Sequence, residues 1–143
     1  MNRKYLLLGA CAVAVVAAYI LLRPAPANDV AKSAPPEGNA MVAIQIPPIE
    51  GNAAIGQHTF ENACVACHGT NAVGVEGAGP PLIHAIYEPS HHAHGSFQRA
   101  VAVGVRSHHW RFGDMPPIEG LTRGDVAMVI ANIREIHRAS GIN

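Results

Sequence analysis

Apolar residues run almost unbroken at the start of this chain. After Asn2, Arg3 and Lys4 they continue from Tyr5 to Leu22 and stop at Arg23-Pro24. About 18 residues is close to the ~20 that a helix needs to cross a bilayer, so the run predicts an N-terminal transmembrane helix over 1–22. The next stretch, 23–51, has no sustained helical or strand period and carries Pro24, Pro26, Pro35, Pro36, Pro47 and Pro48. It reads as a flexible, semi-extended linker. Within it, residues 41–46 are mildly apolar and are expected to lie on a domain surface rather than form a strand. From residue 52 the pattern turns helical in three places. Asn52 is a candidate N-cap for a helix to about Cys64, with Gly56 and Phe60 on one face. A second helix is expected from Ser96 to Val105, where Phe97, Ala100, Val101 and Val105 recur at helical spacing. The third opens on Thr122-Arg123-Gly124-Asp125, a capping-box-like start with Asp in place of Glu, and runs to about Arg138. Val126, Val129, Ile130 and Ile133 mark its apolar face. Residues 52–143 are therefore expected to form one helical domain.

Two details refine the packing. Glycine inside a helix costs about 1 kcal/mol against alanine, so Gly56 marks a point where another helix crosses closely. Arg134 and Arg138 near the end of the last helix suit its dipole. The N-terminal run also carries features of a cleaved signal and of a lipoprotein box at Cys11. Pro26 beside the candidate cleavage site, and the apolar run continuing past Cys11, favour an uncleaved anchor. Arg3 and Lys4 place the N-terminus on the cytoplasmic side.

Lys+Arg and Asp+Glu are both 10, so no charge excess points to nucleic acid. Only three cysteines are present, which excludes a disulfide framework. Two of them lie in Cys64-Val65-Ala66-Cys67-His68. This C-x-x-C-H pattern is the signature of covalent c-type haem attachment. Thiols at i and i+3 share one side of a helical turn and can both reach the vinyl groups of one haem. His68 then falls under the iron as proximal ligand. A redox or zinc C-x-x-C is the competing reading of the motif.

Further signals agree with haem. A ligating imidazole needs a partner for its other ring N–H. The Pro80 carbonyl, stiffened by Pro81 within Gly79-Pro80-Pro81-Leu82, suits that role, although the same pair would also make a simple rigid turn. Leu82 would cover the haem face. Phe112-Gly113-Asp114-Met115-Pro116-Pro117 places a thioether in a loop stiffened by two prolines. Met115 is thus the candidate distal ligand, a soft donor that favours ferrous iron. Trp110 and Arg111, just before it, are candidate donors to a haem propionate.

On Cys64, Cys67, His68, Gly79-Pro80, Leu82, Met115-Pro116 and the Gly56/Phe60 face, the chain resembles the small monohaem cytochromes c with His/Met ligation. The resemblance covers about 52–142. It implies an all-α cytochrome c fold, three main helices around one covalently bound haem c. It also implies that the Pro80 carbonyl accepts from His68 and that Met115 closes the sixth position. The chain departs from the family where the last helix usually presents an aromatic residue to the first. Asn132 or Ile133 stands there, so aliphatic packing is expected at the crossing.

With both axial positions filled, the expected activity is electron transfer rather than catalysis. The protein is expected to be a single-pass protein of the bacterial inner membrane, with its haem domain in the periplasm. It would shuttle single electrons between membrane redox complexes or periplasmic redox proteins. From Gly51 onward six arginines oppose seven carboxylates, so tethering rather than net charge would supply the partner encounter. Two alternatives come from other classes. Nine histidines are present. His91, His92, His94, His108 and His109 (with His84 nearby) could hold a secondary copper or zinc, making a metal-binding haem protein. A labile Met115 would instead leave the iron open, as in a peroxidase-like enzyme.

Overall fold

The computed structural model of the chain describes residue 19 and residues 40–143. The expected membrane-spanning run 1–22, Tyr19 apart, lies outside the described residues, as does the linker up to residue 39. Among the described residues no helix is long and apolar enough to cross a membrane. The rest is mostly helical: α1 (Gly51–Ala63), the single turn α2 (Val65–His68), α3 (His94–Val103) and α4 (Arg123–Ala139). Short 3-10 turns occupy Thr70–Ala72 and Ala85–Tyr87.

The three main helices arise where the sequence pattern places them, with shifted ends. α4 opens on the expected capping box. The Asp125 amide donates to Thr122 Oγ1 at 3.2 Å, and the Thr122 amide donates to Asp125 Oδ2 at 2.8 Å. Such reciprocal caps contribute about 1 kcal/mol. α1 starts one residue before Asn52, which therefore is not its cap. Glu50 takes that place in extended conformation and makes no side-chain cap, because Pro47-Pro48 deliver the chain extended up to the helix. α3 begins and ends two residues earlier than its apolar spacing suggested. Gly104, with φ +77, breaks it, and Val105 leaves the helix to pair its backbone with Met115.

α1 packs across α4 at Gly56. A Cβ there would lie 1.8 Å from the Met128 carbonyl oxygen, so only glycine lets the backbones meet. Phe60, Val129, Ile133 and Ile136 fill the contact, with Ile133 completely buried. The aliphatic crossing expected in place of an aromatic one is thus formed, and Asn132 beside it is also buried.

The folded unit begins earlier than residue 52. Ile44 is buried in the same core cluster, with Val42, Ile46 and Ile49 packed against it. The Met41 amide donates to the Val73 carbonyl at 3.1 Å, and the Gln45 amide donates to Ser140 Oγ at 3.0 Å. Residues 41–49 form a non-strand strap over the domain rather than free linker. The prolines around them suggested a spacer, but alternate apolar side chains give the strap enough buried surface to hold it down.

Candidate functional site

Cys64 stands at the break between α1 and α2, with φ −121. The Cys67 and His68 amides both donate to the Cys64 carbonyl, at 3.2 and 2.9 Å. The motif is therefore wound into one tight turn, with the two cysteines about one turn apart. Cys67 is exposed and Cys64 half-buried, and neither is in a disulfide. Burial, and then the neighbouring Cys67, pushes the Cys64 thiol up to about 11.

His68 is buried at the end of this turn. Its Nδ1 donates to the Pro80 carbonyl at 2.9 Å, the hydrogen bond that the resemblance implied. That bond fixes the tautomer and leaves the lone pair on Nε2, the atom facing away from Pro80. Burial holds the imidazole below its ordinary value, against the Pro80 carbonyl, which raises it. His68 is thus neutral and ready as a ligand.

The loop after the motif brings Pro80 into place. Gly79 presses on the motif itself, since a Cβ there would lie 2.6 Å from the Cys67 carbonyl oxygen. Val75 and Gly79 pair as an isolated bridge. Asn71 and Ala72 sit at positive φ, +56 and +61, and Ala72 is buried. The Ala72 carbonyl accepts from the Leu82 and Ile83 amides at 2.8 and 3.2 Å, which holds this strained pair in place.

Leu82 is half-buried against the core. Its carbonyl accepts from His137 Nε2 at 2.7 Å, which ties the loop to α4. His137 Nδ1 in turn accepts from Arg134 Nη1 at 2.9 Å. Arg134 is buried, not a surface cation serving the helix dipole. It also donates from Nη1 to the Tyr87 carbonyl and from Nη2 to the His92 carbonyl, and it stacks over the Phe97 ring at 5.1 Å. One side chain thereby joins α4, α3 and the loop between His84 and His92. Sequence reasoning missed this role. The available signal was its register: Arg134 follows Ile130 by four residues and shares its buried face.

Met115 is half-buried on a loop braced from both sides. Its amide and carbonyl each exchange a 2.9 Å hydrogen bond with Val105. Asp114 Oδ1 accepts from the Ser107 amide at 2.8 Å, and the Ser107 hydroxyl donates to the Trp110 carbonyl. Trp110 stacks parallel to Phe112 and edge-on to His84. Its Nε1 is buried and reaches no acceptor with hydrogen-bonding geometry among the described residues; burial raises the neighbouring Tyr87 hydroxyl above its ordinary value, and Trp110 opposes this only in part. Arg111 is exposed.

The histidines divide. Of the five considered as metal ligands, His91, His92 and His109 come together, each offering one ring nitrogen, with those atoms within 4.8 Å of one another. His108 stands beside them, 4.2 Å from the His109 ring between centroids, with Nδ1 bound to the Arg106 carbonyl. His94 is exposed on the first turn of α3 and does not join the group. Partial desolvation, then the His108, His92 and His91 rings, lower the His109 imidazole from its ordinary value.

The residues present fit a covalently attached haem. Two free cysteines lie about one turn apart, and a neutral, oriented imidazole follows them. Before Met115, the Trp110 indole N–H is buried and lacks an acceptor among the described residues. Together they define a helical protein built to hold a haem through two thioether bonds. The cytochrome c profile matches residues 53–137, well over half of the chain, and the protein belongs to the cytochrome c family. Members of this family carry covalently attached haem c and typically transfer electrons rather than catalyse reactions. No individually curated protein matches the chain.

Proposed function

We propose that this protein is a membrane-tethered electron carrier with a single haem, ligated by His68 and Met115, working on the periplasmic face of a bacterial inner membrane. The observation that carries the reading is the His68–Pro80 hydrogen bond beside two free thiols. It presents an Nε2 lone pair where the motif needs a proximal ligand. Haem c, when bound, supplies a one-electron iron couple. The chain's own residues do the rest. Cys64 and Cys67 fix the group covalently. Pro80 keeps the His68 ring from turning, and Leu82 with Ile83 seals the buried side. Val105 pins the backbone of Met115 so that its thioether needs little ordering to reach the sixth position. Trp110 Nε1 is the donor available to a propionate.

The apolar run before Arg23 supports the tether, and the C-x-x-C-H motif supports a periplasmic domain, where haem of this kind is attached. Partners are membrane redox complexes or periplasmic redox proteins. Contact would be small and transient, as redox encounters are, at the surface on which Cys67 is exposed.

Optical spectra of the haem-loaded protein test this. A low-spin spectrum with the long-wavelength Met–iron band, unchanged by carbon monoxide in the reduced form, is expected. A high-spin spectrum or rapid carbon monoxide binding would replace the carrier with a peroxidase-like enzyme in which Met115 is labile.

A further inference from the structure

Outside the haem site, the densest group of ligand-type side chains is the histidine trio before α3 and before the Met115 loop. We infer that His91, His92 and His109 form a site for a divalent transition-metal ion of the copper or zinc type, which clamps the Met115-bearing loop to the loop held by Arg134.

Three observations carry it. First, the three ring nitrogens already lie within 4.8 Å of one another. Imidazoles bound at ~2.0–2.1 Å to a tetrahedral ion stand about 3.4 Å apart, so small rotations complete the site. His91 and His109 are exposed and free to make them. Second, His92 is set up as metal-bound histidines are. Its Nδ1 donates to the Ile86 carbonyl at 2.6 Å, so the lone pair is on Nε2. The Tyr87 ring lies tilted 5.1 Å from it, and Arg134 holds its carbonyl. Third, the ligands come from two segments. His91 and His92 precede α3, whereas His109 lies between Val105 and Met115, whose backbones pair. A bound ion is therefore a cross-link. It joins the loop fastened to α4 by Arg134 to the loop that carries Met115.

The donor set also selects the ion. Three neutral imidazoles with no carboxylate in the group suit copper(II) or zinc, not magnesium or calcium. Three ligands leave a position for water, which fits an exchangeable ion rather than a closed structural one.

Calorimetric titration of the haem-loaded full chain in detergent with zinc chloride, and separately with a copper(II) salt, tests the site. One ion per chain at micromolar affinity or tighter is expected, with copper the tighter. His109→Ala and His91→Ala should each weaken binding at least tenfold, while His94→Ala should leave it unchanged. Both altered rings are exposed, so loss of fold would not explain the result, and an unchanged melting temperature without metal checks this. Unsaturable or absent binding, or full affinity in His109→Ala, overturns the site. Amide exchange tests the clamp: zinc should slow exchange at Val105 and Met115 several-fold in the parent protein but not in His109→Ala. Binding without that protection overturns the clamp.

Discussion

Gly56 on α1 lies directly against the Met128 carbonyl of α4, so closely that a methyl group would overlap it. The contact is backbone against backbone, and no side chain can turn aside to relieve it. Gly56→Ala should therefore force the helices apart and destabilise the haem-loaded protein by about 3 kcal/mol, the upper range of overpacking. Denaturant unfolding followed by circular dichroism would measure this. A loss under ~1 kcal/mol would show that the crossing is loose.

Arg134 holds two backbone carbonyls and the His137 ring from a buried position. Arg134→Leu removes the guanidinium but strands those acceptors, at a cost of about 2–4 kcal/mol. Arg134→Lys should recover less than half, because a point charge cannot span both carbonyls as the fork does. Midpoints of chemical unfolding for the three proteins would decide it.

His137 gives a pH dependence. Burial first, then Arg134, lowers its imidazole below the ordinary value, while its bond to the Leu82 carbonyl opposes this. The folded state thus binds the proton less readily than the unfolded chain. Its contribution to stability is complete above about pH 6.5 and is lost as pH falls through the lower folded value. His137→Gln should be less stable at neutral pH but should lose less between about pH 7 and pH 5. Stability against pH for both proteins tests the sign, and parallel curves would exclude His137 as the titrating group.

The two motif thiols should differ before haem is attached. With its thiol raised to about 11, Cys64 holds little thiolate near neutrality and is half-buried, whereas Cys67 is exposed. In the apoprotein, limiting iodoacetamide should label Cys67 first. The low thiolate fraction at Cys64 adds to its burial in slowing its reaction. Mass spectrometry of the tryptic peptide reads the site directly.

Met115→Ala should abolish the long-wavelength Met–iron band and admit carbon monoxide to the reduced protein, with helicity unchanged. The loop is held by its backbone to Val105 rather than by the side chain. An unchanged spectrum would move the sixth ligand to another residue.

Local signals in the sequence carried far. The Thr122/Asp125 cap and the apolar face of α4 were legible because each depends on residues within a turn or two, and the Gly56 crossing because a glycine inside a helix marks a close approach whatever its partner. The motif and the His68–Pro80 pairing were legible because their chemistry permits few arrangements. What was hidden depends on distant partners. Ile44 looked like linker because its burial is supplied by a core cluster whose other members, Phe60 to Ile136, lie further along the chain. Arg134 looked like a surface charge because its acceptors are carbonyls, which every residue carries and no sequence pattern marks. The five-histidine group narrowed to three because a loop fold, not spacing, decides which rings meet.

The paired amides and carbonyls of Val105 and Met115 bear on speed. An electron hops fastest when the atoms around the iron move least between its two oxidation states. With Met115 as sixth ligand, its backbone is fixed at both hydrogen-bonding groups, so the sulfur has only its own side-chain torsions in which to shift. A ligand that hardly moves leaves little nuclear rearrangement to accompany each transfer. Loosening that backbone pair, even with Met115 intact, would show first as slower self-exchange rather than as a lost ligand.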